Sequence, residues 1–76
     1  MTTPKYFIAE MKHGNTGKLY LRLLKQRQVG RIIKRIVVTT EQGNPIKGKF
    51  KRVGPFIEGR NEGRRVLSWM RSERRA

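Results

Sequence analysis

The sequence contains no cysteine, so no disulfide can cross-link the chain and no thiolate can bind zinc or attack a substrate. The absence of cysteine is consistent with a reducing compartment. We therefore expect an intracellular location, in the cytoplasm or the nucleoid.

Aspartate is also absent, and there is a single histidine. General acid–base catalysis requires a positioned histidine or a pair of carboxylates, and a metal site requires several histidine, cysteine or acidic ligands. The five acidic residues are all glutamates on separate segments, and His13 lies in a glycine-containing turn. We therefore predict that the protein is not an enzyme and that it uses no metal or other cofactor.

Long apolar runs are missing too. No segment approaches the roughly 20 apolar residues of a membrane span, and MTTPKYFIAE lacks the apolar run of a signal peptide. We expect a soluble protein with one domain over residues 1–76. Its core should be thin, because a chain this short hides only about 60–65% of its unfolded surface.

Positive charge is abundant: 19 lysines and arginines stand against five acids, which gives a formal net charge of +14. Self-repulsion of this charge opposes folding, and a partner with closely spaced negative charge would relieve it. Duplex DNA presents one charge per about 1.7 Å of its axis. Solubility alone needs a net charge of only about 2–8 in a small domain. The charge therefore predicts a nucleic-acid partner.

Two segments with alternating apolar residues, 5–12 and 18–25, are separated by the turn-forming HGNTG and predict a β-hairpin. Placing Lys12 opposite Lys18 brings Met11 next to Leu19 on one face. RIIKRIVVTT (31–40) predicts a third strand. Its apolar spacing also fits a helix over 18–38, although Gly30 would then cost about 1 kcal/mol in the helix interior.

A turn over 41–45 predicts a second hairpin, in which the third strand pairs with KGKFKRVG (47–54). This register sets Arg35 opposite Lys51 and Phe50 opposite Ile36, which favours a place in the core for Phe50 over the alternative of a stacking platform. The tail RRVLSWMRSERRA predicts a helix from about Asn61 whose apolar side covers the sheet through Val66, Leu67, Trp69 and Met70. The predicted fold is α+β, with an antiparallel sheet of two hairpins and one C-terminal helix.

The second hairpin would carry a row of cations, and the helix N-terminus would add another group. Like charges opposite one another destabilise a sheet unless phosphates lie over them. The segment GRNEGRR matches no phosphate-loop pattern, yet a helix N-terminus with adjacent arginines can hold a phosphate. The predicted nucleic-acid-binding residues are Arg31, Arg35, Lys47, Lys49, Lys51 and Arg52 on the hairpin and Arg60, Arg64 and Arg65 near the helix N-terminus.

These features predict a nucleic-acid-binding protein that contacts mainly phosphates and has a regulatory or architectural role. Duplex DNA is favoured over RNA because a two-stranded ribbon fits the B-form major groove. The alternative is a small adaptor or inhibitor that docks on an acidic surface of a nucleic-acid-handling machine, with a protein partner at an exposed strand edge. We expect neither a membrane partner nor a small-molecule substrate.

Overall fold

The computed structural model describes residues 5–30, 32 and 35–75. Its elements are β1 (Lys5–Lys12), β2 (Leu19–Val29), β3 (Arg35–Thr40), β4 (Phe50–Glu58) and α1 (Arg60–Arg75). The strands form one antiparallel sheet in the order β3-β2-β1-β4. The predicted α+β fold, with four strands and a C-terminal helix, is confirmed. The alternative helix over 18–38 is wrong, since β2 and β3 occupy most of that range.

The pairing of the third and fourth strands differs from the prediction. β3 pairs with β2 and β4 pairs with β1, so β3 and β4 lie at opposite edges of the sheet. The chain does turn back after β3, where the Thr40 N–H donates to the Asn44 carbonyl over 2.8 Å and Thr39 bridges Pro45. The turn is thus formed, but the predicted β3–β4 hairpin and its contacts are wrong.

The composition of β1 explains why β4 pairs with β1 rather than with β3. Phe7, Ile8 and Ala9 are successive residues that point to alternate faces, and all three are buried. A strand that is apolar on both faces is stabilised at the centre of a sheet, with a hydrogen-bonded neighbour on each edge. β2 occupies one edge of β1, and β4 occupies the other.

The first hairpin is formed as predicted, but its register is shifted by one residue. Lys12 lies opposite Leu19 rather than Lys18, and Met11 lies opposite Tyr20. A one-residue shift moves every side chain of a strand to the other face. Apolar residues occur on both faces of β2, for example Leu23 and Leu24, so the alternation alone did not determine the register.

One side of the sheet, the helix face, is covered by α1. Its buried residues Ile8, Leu21 and Leu23 pack with Leu67 of the helix. Val66 and Met70 also pack there, which confirms the predicted apolar side of the helix. The predicted contribution of Trp69 is wrong, since its side chain is 61% exposed. At about 100° per residue, Trp69 points well away from the direction shared by Leu67 and Met70.

α1 approaches the sheet closely at Gly63. A Cβ atom at this position would lie 2.8 Å from Cδ1 of Leu23, which is shorter than real Cβ contacts. Glycine therefore allows the first turns of the helix to lie directly on β2.

The opposite side, the crossover face, has its own buried cluster of Phe7, Ala9, Met11 and Leu24. Ile46, from the connection between β3 and β4, packs against this cluster. The connection from one edge of the sheet to the other therefore passes over the crossover face. The two faces are covered by different segments, the helix on one side and this connection on the other.

Candidate nucleic-acid interface

β4 carries a bulge opposite Phe7. Its register against β1 changes from Tyr6–Ile57 to Ile8–Val53, so three residues of β4 lie opposite Phe7. Bulges redirect side chains, and Gly54 provides the backbone freedom here with a φ of +85°. The bulge places the ring of Phe56 5.7 Å from that of Phe7, edge to face.

A second ring of β4, that of Phe50, also covers Phe7. Phe50 lies 5.8 Å from Phe7, centroid to centroid, in a tilted arrangement. Phe7 is 2% exposed, whereas Phe50 is 38% and Phe56 is 40% exposed. The prediction that Phe50 is buried against Ile36 is therefore wrong. Phe50 and Phe56 each use part of the ring to bury Phe7 and present the rest to solvent.

Two cations lie over Phe56. The Cζ atom of Arg52 is 4.3 Å from its ring centroid, and the Nζ atom of Lys5 is 5.7 Å from it. At exposed sites such contacts contribute about 0.5–1 kcal/mol each. We name the group of Lys5, Phe50, Arg52 and Phe56 the aromatic–basic patch.

Of the patch residues, the sequence predicted only Arg52 as a binding residue. Phe50 was assigned to the core, while Phe56 and Lys5 were not singled out. The Gly54-Pro55 pair before Phe56 is the signal that could have indicated a bulge.

Lys47 and Lys49 lie on the connection that crosses the same face. Both are exposed, and they follow Ile46, whose side chain packs against the crossover face. The structure thus brings Lys47, Lys49 and Arg52, three of the predicted binding residues, to one side of the sheet.

Lys51 and Arg35 do not join them. Lys51 lies opposite Glu10 of β1, whose Oε2 atom also accepts a hydrogen bond of 2.6 Å from Nη2 of Arg74. Arg35 lies opposite Val29, at the outer end of β3. The expected juxtaposition of Arg35 and Lys51 is wrong, because the two residues belong to strands at opposite edges of the sheet.

The arginines at the start of α1 form a separate region. Nε of Arg64 lies 2.9 Å from Oε1 of Glu41, and Nη1 of Arg65 lies 3.8 Å from Oε2 of Glu62. Arg60, the first residue of the helix, is exposed. Exposed ion pairs of this kind contribute about 0–1 kcal/mol, so a phosphate can replace either glutamate at little cost. Arg31 lies outside the described residues.

Few of the cations have an acidic partner. Within the described part of the chain, ion pairs no longer than 4.0 Å join three arginines to three glutamates: Arg64 to Glu41, Arg65 to Glu62, and Arg74 to Glu10. Because the formal net charge of +14 already counts all five glutamates, the protein keeps a large excess of positive charge.

No protein-family model, no curated protein and no solved structure matches this chain significantly. Over the residues described above, no three potential metal ligands come together, and no helix combines the length and apolar character needed to cross a bilayer. Function must therefore be inferred from the charge and from the geometry of the two faces.

Proposed function

We propose that the protein binds nucleic acid and holds its phosphate backbone with exposed lysines and arginines. The observation that carries this proposal is the uncompensated charge. The formal net charge of +14 remains after all five glutamates have been counted, and within the described residues ion pairs engage only three arginines. A phosphate backbone supplies negative charge at the required density, and binding it releases the counterions condensed on the nucleic acid.

The crossover face offers the main contact region. Lys5 and Arg52 lie at the aromatic–basic patch, and the exposed Lys47 and Lys49 lie on the connection over the same face. Arg60, at the start of α1, belongs to a second contact region together with the neighbouring arginines of the helix.

The preference for duplex DNA depended on a β3–β4 ribbon. Because these strands lie at opposite edges, this argument no longer favours duplex DNA over RNA. The proposed role is regulatory or architectural, in the cytoplasm or the nucleoid, where nucleic acid is accessible.

Fluorescence anisotropy with labelled single-stranded DNA, duplex DNA and RNA of equal length, at low salt, tests the proposal. We expect the protein to bind these nucleic acids. Polyglutamate, a polyanion without phosphates or bases, should be a poor competitor for this binding. Lys47→Gln with Lys49→Gln should weaken binding more than the matched pair Lys12→Gln with Lys18→Gln, which removes the same charge at the β1–β2 loop. Equal losses would contradict the assignment to the crossover face, and no binding would refute the proposal.

A second candidate function is docking on an acidic protein surface as an adaptor or inhibitor. It is favoured by the exposed apolar end of the β2–β3 hairpin, where Val29 is 42% and Ile36 is 54% exposed, beside the outer edge of β3. A pull-down from lysate with and without nuclease separates the two candidates. A protein retained after nuclease treatment and lost in an Ile36→Lys variant would support docking.

A further inference from the structure

We infer that the aromatic–basic patch is a stacking platform for unpaired bases, so that the ligand of the crossover face is a single-stranded nucleic acid. This inference rests on the proposed function and specifies its ligand. It is carried by the rings of Phe50 and Phe56 and by the cations placed beside them.

The exposure of these rings is the first argument. Phe50 and Phe56 are 38% and 40% exposed, although both contact the buried ring of Phe7. Contact with Phe7 restrains the position of each ring, and part of each side chain remains exposed, although the guanidinium of Arg52 lies over the ring of Phe56. A fixed and partly exposed aromatic ring offers a base a surface on which to stack, whatever the identity of the base.

The cations give the second argument. The guanidinium of Arg52 lies over Phe56, and the ammonium of Lys5 lies near the same ring. A planar guanidinium can itself stack on a base, and it can donate two parallel hydrogen bonds to a phosphate. Each nucleotide of a single strand presents a base and a phosphate close together. This combination matches the mixture of rings and cations in the patch.

The crossing connection extends this arrangement. Lys47 and Lys49 precede Phe50 in the chain and lie on the segment that passes over the crossover face. A strand bound with its bases on Phe50 and Phe56 therefore has further cations available for its backbone. In a duplex the bases are stacked on one another, so the two rings would have no base face to contact.

Trp69 provides an internal contrast. Its side chain is 61% exposed on α1, yet over the described residues no ring or cation is stacked on it, whereas Phe56 has both. Substitution of Trp69 is therefore the matched control for loss of an exposed aromatic side chain outside the patch.

The experiment compares three labelled probes of equal length by anisotropy: oligothymidylate, the corresponding abasic strand, and a duplex. For the wild-type protein, we expect oligothymidylate to bind about tenfold or more tightly than the abasic strand, because each stacked base contributes measurably to affinity. We also expect it to bind more tightly than the duplex at the same salt concentration.

Phe50→Leu and Phe56→Leu retain apolar cover over Phe7 but remove the flat ring. Each should reduce the affinity for oligothymidylate by about 5-fold or more and leave binding to the abasic strand unchanged. Trp69→Leu should change neither. If a variant unfolds, as shown by circular dichroism, the comparison of probes with the wild-type protein still decides the question.

The outcomes separate the two proposals. Equal affinity of the wild-type protein for the normal and abasic strands, with binding that weakens as salt is added, would overturn the stacking platform and leave the proposed function intact. Tighter binding to the duplex would also overturn it. No binding to any of the probes would refute both.

Discussion

The close approach of α1 to β2 can be tested by substituting both residues at the contact. Leu23 is 2% exposed, and a Cβ on Gly63 would lie 2.8 Å from its Cδ1 and 3.1 Å from its Cδ2. Gly63→Ala gains about 1 kcal/mol in helix propensity, but overpacking of a core costs about 1–3 kcal/mol. We expect a net loss of about 1 kcal/mol of unfolding free energy.

The same substitution should have the opposite sign once Leu23 is shortened. Leu23→Ala alone should cost about 2–5 kcal/mol, because it removes buried methyl groups and leaves a cavity. In that background the clashing atoms are gone, so Gly63→Ala should stabilise the protein by about 1 kcal/mol. The expected coupling between the two sites is about 2 kcal/mol, within the range for residues in contact.

Urea denaturation followed by circular dichroism would measure these values for the wild type, both single variants and the double variant. Asn61→Ala, at an exposed position of α1, serves as a control that should show no coupling with Leu23→Ala. If Gly63→Ala stabilises both backgrounds equally, the helix does not lie on β2 as described, and the account of the helix face is wrong.

Two other predictions concern side chains whose assigned roles the structure changed. Leu67→Ala should cost about 2–5 kcal/mol of unfolding free energy, whereas Trp69→Ala should cost less than about 1 kcal/mol; a larger loss for Trp69 in thermal melts would contradict its exposed position. Lys51→Gln should leave the salt dependence of nucleic-acid binding unchanged and reduce stability by up to about 1 kcal/mol, because it removes the positive charge directly opposite Glu10 in the sheet. A shallower salt dependence in this variant would show that phosphates also reach the helix face.

The sequence was sufficient for the fold class and for the order of strands and helix along the chain, but not for the bounds of the fourth strand, which was predicted over 47–54 and runs from Phe50 to Glu58. Local signals predicted these elements: the alternation over 5–12, the turn residues of HGNTG, and the helical spacing of Val66, Leu67 and Met70. The structure shows a strand, a turn and a helix at these positions. Gly30 correctly argued against a continuous helix, because β2 ends at Val29.

The order of the strands could not be predicted by the same reasoning. Pairing β3 with β4 satisfied the local turn at 41–45, but the burial of β1 on both faces, a non-local requirement, determined the sheet order. The composition of the candidate site changed with the order of the strands. Phe50 and Arg52 came to lie beside β1, and Phe56 reached the patch through a bulge that alternation does not reveal.

The most direct test of the central claim is the salt dependence of binding to a single strand. If Lys5, Lys47, Lys49 and Arg52 each meet a phosphate, log K should fall with log salt at a slope of about −3, from about −0.7 per phosphate on single strands. In the variant with Lys47→Gln and Lys49→Gln, the slope should become shallower by about 1.4. A slope near zero for the wild-type protein, or an unchanged slope in the variant, would contradict binding of phosphates on the crossover face.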